Sequence, residues 1–219
     1  MFKLAILIQG ASSNVDEQKK AWENKQDLFF STWVGSEGLY QSDDNVIYNT
    51  PPSDPGPMNF NYQITSTYNG LLKIKSLGYT HVLKLRSDLV PTNYKEFIKI
   101  IENDSLNFLS WYAHEVYPSC PGYLIDYLMS GPIDDMIKLW NITDIFYTVP
   151  EVILTKKYID SFDKEPLYFL DKINTDNNLY WIKRDIYLDS YKIHISDPYN
   201  KYTFNKSVEY LNDEYIKNI

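Results

Sequence analysis

The sequence predicts an α/β fold: a single domain with a central, mostly parallel sheet flanked by helices. Three observations predict it. The run Leu4-Ala5-Ile6-Leu7-Ile8 is short and wholly apolar, as a strand covered by helices on both faces must be. Strand and helix patterns then alternate through the first half of the chain, the order that gives parallel pairing through crossover helices. Finally, 219 residues, of which 44% are hydrophobic, suit one domain. Such a chain buries about 70% of its unfolded surface and folds without a disulfide or metal staple. The expected layout is one domain over 1–219, with a ligand-binding half over about 1–112 and a more irregular acceptor-side half over about 113–219.

The elements follow in order. After the first strand comes the small-residue loop Gln9-Gly10-Ala11-Ser12-Ser13, then a polar helix over Asp16–Lys25 and a strand over Asp27–Trp33. Residues 42–58 are rich in Pro, Asp, Asn and Gly around a short strand, Asn45-Val46-Ile47-Tyr48, and Asp54-Pro55-Gly56-Pro57 must be turn or loop. A helix over Asn61–Ser76 keeps Ile64, Tyr68, Leu71 and Leu72 on one stripe, and Gly70 within it suggests a close approach. The next strand, Thr80–Asp88, alternates Leu83 and Leu85 with Lys84 and Arg86. Pro91 is placed to open a helix carrying Tyr94, Phe97, Ile98 and Ile101 at i, i+3, i+4 and i+7. A strand over Asn107–Tyr112 and a loop from Pro118 to Gly122 follow. Helices are expected at Ile133–Trp140 and from Pro150 through Tyr158, and loop over 165–180. Strands at Tyr180–Leu188 and Tyr191–Ser196 and a last helix over Lys206–Lys217 complete the chain.

Charge and composition narrow the function. With 21 basic against 29 acidic side chains, the net charge of −8 disfavours nucleic acid, whose phosphates call for a basic footprint. The lone Cys120 excludes an intrachain disulfide and a multi-cysteine zinc site. The first apolar run is shorter than the ~7–15 residues of a secretory signal, and no stretch approaches the ~20 of a membrane span. The expected location is the cytoplasm. Twenty tyrosines offer rings for sugar or base surfaces, although core packing is their commoner use.

Chemistry concentrates at strand ends. In an open α/β sheet the loops at the carboxyl ends of strands bind ligands, which makes Gln9-Gly10 a candidate nucleotide contact. The loop is neither G-x-G-x-x-G nor a P-loop. Asp88, just beyond a buried strand, is placed to hold a divalent ion against a diphosphate, and Arg86 to neutralise phosphate oxygens. The bland alternative is an exposed turn acid beside a solvated arginine. His81 and His114 read as structural.

Several segments carry a resemblance. They are Phe30-Ser31-Thr32-Trp33, Asp54-Pro55-Gly56, Asn59 through Thr67, Leu83-Lys84-Leu85-Arg86-Ser87-Asp88, and Asp126-Tyr127-Leu128-Met129-Ser130-Gly131. In this order and spacing, from about residue 3 to 140, they resemble the WavE family of lipopolysaccharide-synthesis glycosyltransferases and related virus-encoded enzymes. Residues 80–88 resemble the strand-plus-acid element of nucleotide-sugar glycosyltransferases of the GT-A type, a Rossmann-related fold whose motif is usually D-x-D. Arg86 stands where the first acid of that motif would be, leaving Asp88 as the metal-proximal carboxylate.

The resemblance implies a transferase that moves a sugar from a nucleoside-diphosphate donor, UDP-linked by expectation, to a glycan or glycolipid acceptor. Mn2+ or Mg2+ would bridge the leaving diphosphate, with Asp88 and, from near the C-terminus, His194 as ligands. Asp126 would take the acceptor's proton if the enzyme inverts, with Asp134, Asp135 and Glu115 as rivals; a retaining enzyme needs no such base. Gln9, Gly10, Asn61, Gln63, Arg86 and Asp88 would hold the donor, since amides read a base or sugar edge and arginine pairs with phosphate. Asn61 reads equally well as a helix cap, and Trp33 and Trp111 as core residues. The alternative is a silent nucleotide- or carbohydrate-binding module of the same fold. A virus-encoded chain would act in the host cytoplasm.

Overall fold

The apolar run after Lys3 forms strand β1 (Leu4–Gln9), and its alternate residues enter two different cores. Ala5 and Leu7 face one layer of helices, whereas Ile6 and Ile8 face the other side of the sheet. That division is why no polar residue interrupts the strand. In this computed structural model the residues described are 2–11, 15–23, 27–91, 105–110, 124–143, 150–163, 167–168 and 179–181.

The order along the chain continues with α1 (Val15–Ala21), β2 (Leu28–Trp33), β3 (Asn45–Asn49) and α2 (Phe60–Ser76). Then come β4 (His81–Arg86), β5 (Leu89–Pro91), β6 (Asn107–Ser110) and β7 (Leu124–Pro132). Helices α3 (Ile133–Trp140) and α4 (Pro150–Ser161) precede two short strands, β8 (Leu167–Tyr168) and β9 (Leu179–Trp181). The main sheet runs β3-β2-β1-β4-β7-β6-β8. β1 lies parallel to β2 and to β4, with Ile8 opposite Phe30 on one side and Leu85 on the other. β2 and β3 are parallel, and β6 and β8 are parallel. β7 is antiparallel to both neighbours, β4 and β6. The sheet is therefore mostly parallel, within a single α/β domain, as the sequence predicts.

Helices α2, α3 and α4 cover one face, where Leu7, Phe60, Leu71, Ile74, Met129 and Trp140 form the larger core. Gly70 lets α2 settle on β1 and β2, because a Cβ there would lie 2.8 Å from a Leu7 methyl and 3.2 Å from Ser31 Cβ. The opposite face carries Trp22, Phe30, Leu83, Leu85 and Leu128. No helix among the described residues is long and apolar enough to cross a membrane.

Several expectations change. Pro91 is the last residue of strand β5, which pairs with β9, and the helix expected to follow with Tyr94, Phe97, Ile98 and Ile101 lies outside the described residues. Its fixed φ and missing N–H suit the rim of a two-stranded pair as well as a helix start. The loop expected over 165–180 contains β8, held by β6, and begins β9, held by β5; pairing decides these short strands, not local pattern. Helix α1 ends at Ala21, followed by a turn at Trp22 and Glu23, where Glu23 has a positive φ of 53°. β7 has no counterpart in the sequence reading. Its Asp126, Ser130, Gly131 and Pro132 mask the strand pattern, yet it is a central strand. Finally, Lys84, which alternates with Leu83 and Leu85 along β4, is wholly enclosed.

Candidate functional site

The chain leaves β1 toward β2 and β3, then returns through α2 to place β4 on β1's other side. The loops after β1 and β4 thus diverge from neighbouring strand ends, and such a switch point is where open α/β sheets bind ligands. Ser87 N–H donates to the Gln9 carbonyl at 2.8 Å, and Gly10 N–H to the Ser31 carbonyl at 3.1 Å. Gly10 has φ +125°, and a Cβ there would lie 2.9 Å from Ser87 Oγ. Glycine is needed on both counts. A shallow crevice of about 10 Å³, room for about one water, opens here between Ile8, Gly10, Val15, Phe30, Tyr40 and Ser87, with Gln18 in its wall. Gln18 is already engaged, donating to the Ser87 and Leu89 carbonyls.

On the β1–β3 side, an uncharged polar seam joins the strand ends to α2. Gln9 Nε2 donates to Ser66 Oγ at 2.9 Å, and Ser31 Oγ donates to the Ser66 carbonyl at 2.6 Å. Asn49 Nδ2 donates to Ser31 Oγ and the Thr32 carbonyl, while its Oδ1 accepts from Asn69. Gln9 Oε1, Gln63 Oε1 and Thr67 Oγ are enclosed, and no described group bonds to them. Buried polar atoms are nearly always paired, so these acceptors are suited to a ligand or a water. Asn61 is not the helix cap. Asn59 holds that position, in a left-handed conformation, and Asn61 Nδ2 instead donates to the Asp54 carbonyl at 3.0 Å. Trp33 packs edge-on against Tyr62 with centroids 5.0 Å apart.

On the β4–β7 side, charges replace the amides. The antiparallel register sets Leu85 opposite Leu128, bringing the start of β7 to the end of β4. Arg86 grips Asp88 with two hydrogen bonds, Nε to Oδ1 at 3.0 Å and Nη2 to Oδ2 at 2.6 Å. Its guanidinium carbon lies 4.6 Å from the centre of the Tyr127 ring. Lys84 donates to the Asp126 carbonyl, and its Nζ is 3.9 Å from Asp126 Oδ2 and 4.8 Å from the centre of the Trp140 ring. Asp126 is 1% exposed. Its Oδ2 is within ion-pair range of Lys84 but receives no hydrogen bond from a described group.

The cluster perturbs its members. Burial pulls Lys84 down to about 8, against the opposing pull of Asp126. Burial also works against the charge on Arg86, but Asp126, and then the hydrogen bonds and charge of Asp88, outweigh it and raise its pKa. Burial, reinforced by Asp126, pushes Tyr127 up. Glu151, in the first turn of α4, is pushed up to about 7 by burial and then by the charge of Asp126. Thr155 ties that turn to β7: its Oγ accepts from Leu124 N–H at 2.9 Å and donates to the Glu151 carbonyl at 2.7 Å. A carboxyl raised to about 7 is equipped to accept and release a proton at physiological pH.

The structure thus brings together Gln9, Gly10, Arg86, Asp88 and Asp126 at one end of the sheet. Asn61 and Gln63 join through the first turns of α2. Asp134 and Asp135 stand in the first turn of α3 after β7 has crossed the sheet, and Asp134 pairs with Lys75. His194, Glu115, His114, Trp111 and Cys120 lie outside the described residues. Two members of the cluster were missed. Lys84 read only as a residue alternating with Leu83 and Leu85, and Glu151 only as a helix start after Pro150; nothing in local spacing ties either to Asp126.

The described residues do not fit a divalent ion at Asp88. Both of its oxygens are taken by one guanidinium, and no group of three or more His, Cys, Asp or Glu side chains gathers among the described residues. A hard cation needs several oxygen ligands, and the one carboxylate here already has a guanidinium against both of its oxygens.

No family model matches the chain, and no curated protein matches it. Among solved structures it is similar to the 4-diphosphocytidyl-2C-methyl-D-erythritol synthase from Anaerococcus prevotii, with a TM-score of 0.49 and 11% identity over 76% of this chain and 88% of that one. It is also similar to a cytidylyltransferase from Leptospira borgpetersenii, with a TM-score of 0.41 and 9% identity over 66% of each chain. Likenesses at this level leave the fold resting on the strand order and registers above, and say nothing of this chain's substrate.

Proposed function

We propose that the chain is a transferase that binds a nucleoside-diphosphate sugar at the ends of β1 and β4 and passes the sugar to a glycan or glycolipid hydroxyl. One observation carries this: the switch point gathers a glycine loop, enclosed amide oxygens of Gln9 and Gln63 that no described group bonds, a partly exposed arginine and the buried Asp126 around the ends of β1 and β4. The amides of Gln9 and Gln63 suit a base or ribose edge, and the arginine suits phosphate. In the reaction, the acceptor oxygen bonds to the anomeric carbon of the sugar. The bond from that carbon to the diphosphate breaks, and its electron pair stays on the leaving oxygen. The acceptor's proton passes to the Asp126–Glu151 pair. The resemblance to the WavE family rests on the five sequence segments and agrees with this reaction class.

A panel of UDP-, GDP- and CDP-linked sugars, each offered with mixed oligosaccharide acceptors, tests the reading through release of nucleoside diphosphate and a matching mass gain on an acceptor. At least one donor is expected to turn over, with loss in Asp126→Asn of about a hundredfold or more. Absence of turnover with bound nucleotide would leave the second reading, a binding module without catalysis. The enclosure of Asp126 favours that alternative.

A further inference from the structure

We propose that Arg86, rather than a divalent ion, supplies the positive charge that receives the diphosphate; this rests on the nucleoside-diphosphate reading above. Four observations support it. Arg86 and Asp88 form a closed two-bond fork, so each Asp88 oxygen that would ligate a metal already accepts from the guanidinium. A cation bound to those same oxygens would sit against a fixed like charge, at close range and within a largely buried cluster. Of the two cations in the cluster, Lys84 is sealed in, whereas the Arg86 side chain is 23% exposed at the mouth of the site. The Tyr127 ring against the guanidinium holds its plane, and a fixed planar fork is what bidentate pairing with phosphate oxygens requires.

The fork also shows how the pair would work. Asp88 keeps a desolvated arginine oriented and neutralised until an anion arrives. A diphosphate carries more charge than a carboxylate and presents the same paired oxygens, so the guanidinium exchanges one partner for the other. When the bond from sugar to diphosphate breaks, the electron pair settles on a phosphate oxygen that Arg86 already faces. Arg86 forms no covalent bond and gives up no proton. An acid at position 86 would recruit a metal to this point; an arginine supplies the charge directly.

Titration calorimetry of UDP, GDP, CDP and ADP into the full chain, first in EDTA and then with Mn2+, tests the inference. At least one nucleotide is expected to bind with the same Kd, within about twofold, under both conditions. Arg86→Ala should weaken it about tenfold or more and Arg86→Lys by less, because a point charge replaces the fork. Asp88→Asn separates the two schemes by sign. It removes a competing anion and should tighten binding about threefold if Arg86 is the cation, but abolish binding if Asp88 holds a metal. Should Arg86→Ala fail to fold by circular dichroism, Arg86→Lys and the sign of the Asp88→Asn change still decide. Affinity that requires Mn2+ and is lost in Asp88→Asn would overturn the inference while leaving the nucleotide reading intact. Failure of every nucleotide to bind under both conditions would overturn both.

Discussion

The two sides of the switch point are built from different chemistry. The ends of β1, β2 and β3 are tied to α2 by Gln9, Ser31, Asn49, Ser66 and Asn69, all uncharged. Across β1, the ends of β4 and β7 hold Lys84, Arg86, Asp88 and Asp126, with Glu151 against them. A neutral seam is insensitive to pH and salt and acts as a fixed wall. A buried charge cluster changes with protonation and with any anion that enters. Under the proposed function, recognition falls to the first side and chemistry to the second.

The largest expected effect breaks the charged side. Lys84→Ala should cost about 3–5 kcal/mol in urea unfolding, because it leaves Asp126 buried without its cation. The double variant Lys84→Met with Asp126→Leu should recover most of that loss, since a buried pair is replaced by apolar bulk. A double variant no better than the single one would mean that Lys84 stabilises through packing alone. On the neutral side, Asn49→Ala removes the donor to Ser31 Oγ and the Thr32 carbonyl and should cost about 1–3 kcal/mol, with no dependence on salt or on pH between 5 and 8. A salt-dependent loss there would erase the distinction between the two sides.

Next comes pH. Glu151 has its folded-state value raised from 4.5 to about 7, so its contribution to stability is complete below the lower value and fades as pH rises through the upper one. Glu151→Gln should therefore flatten the decline in stability between pH 5 and 8 by about 1–2 kcal/mol. An unchanged profile would detach Glu151 from the cluster. The smallest effect lies outside both regions. Lys156 and Asp160 form a surface pair one helical turn apart, 2.8 Å between charges, and Lys156→Ala should shift stability by less than about 0.5 kcal/mol.

Legibility in the sequence followed the range of the interactions. β1, β2, α2 and α3 were readable because each carries its own period or apolar run. Ile133, Met136 and Trp140, for example, share a buried face over 133–140 as their spacing predicts. Asp88 and Gly10 were readable because strand ends and small-residue loops announce themselves. β7 was not, since its strand character comes from pairing with β4 and β6 and not from its own residues. The enclosure of Lys84 was not legible for a related reason. Alternation along β4 distinguishes the faces, but only the packing of α3 and β7 decides that the second face is also closed.

By itself, then, the sequence determined where β1, β2, α2 and α3 form and which of their ends carry polar groups, because those properties depend on neighbours a few residues away. The tertiary structure decided what those groups meet. It closed Arg86 onto Asp88, enclosed Lys84 with Asp126 and brought Glu151 to the same place from a helix 25 residues beyond Asp126. Charge at a distance in sequence acts only when folding removes the water between, and no local pattern records where that happens.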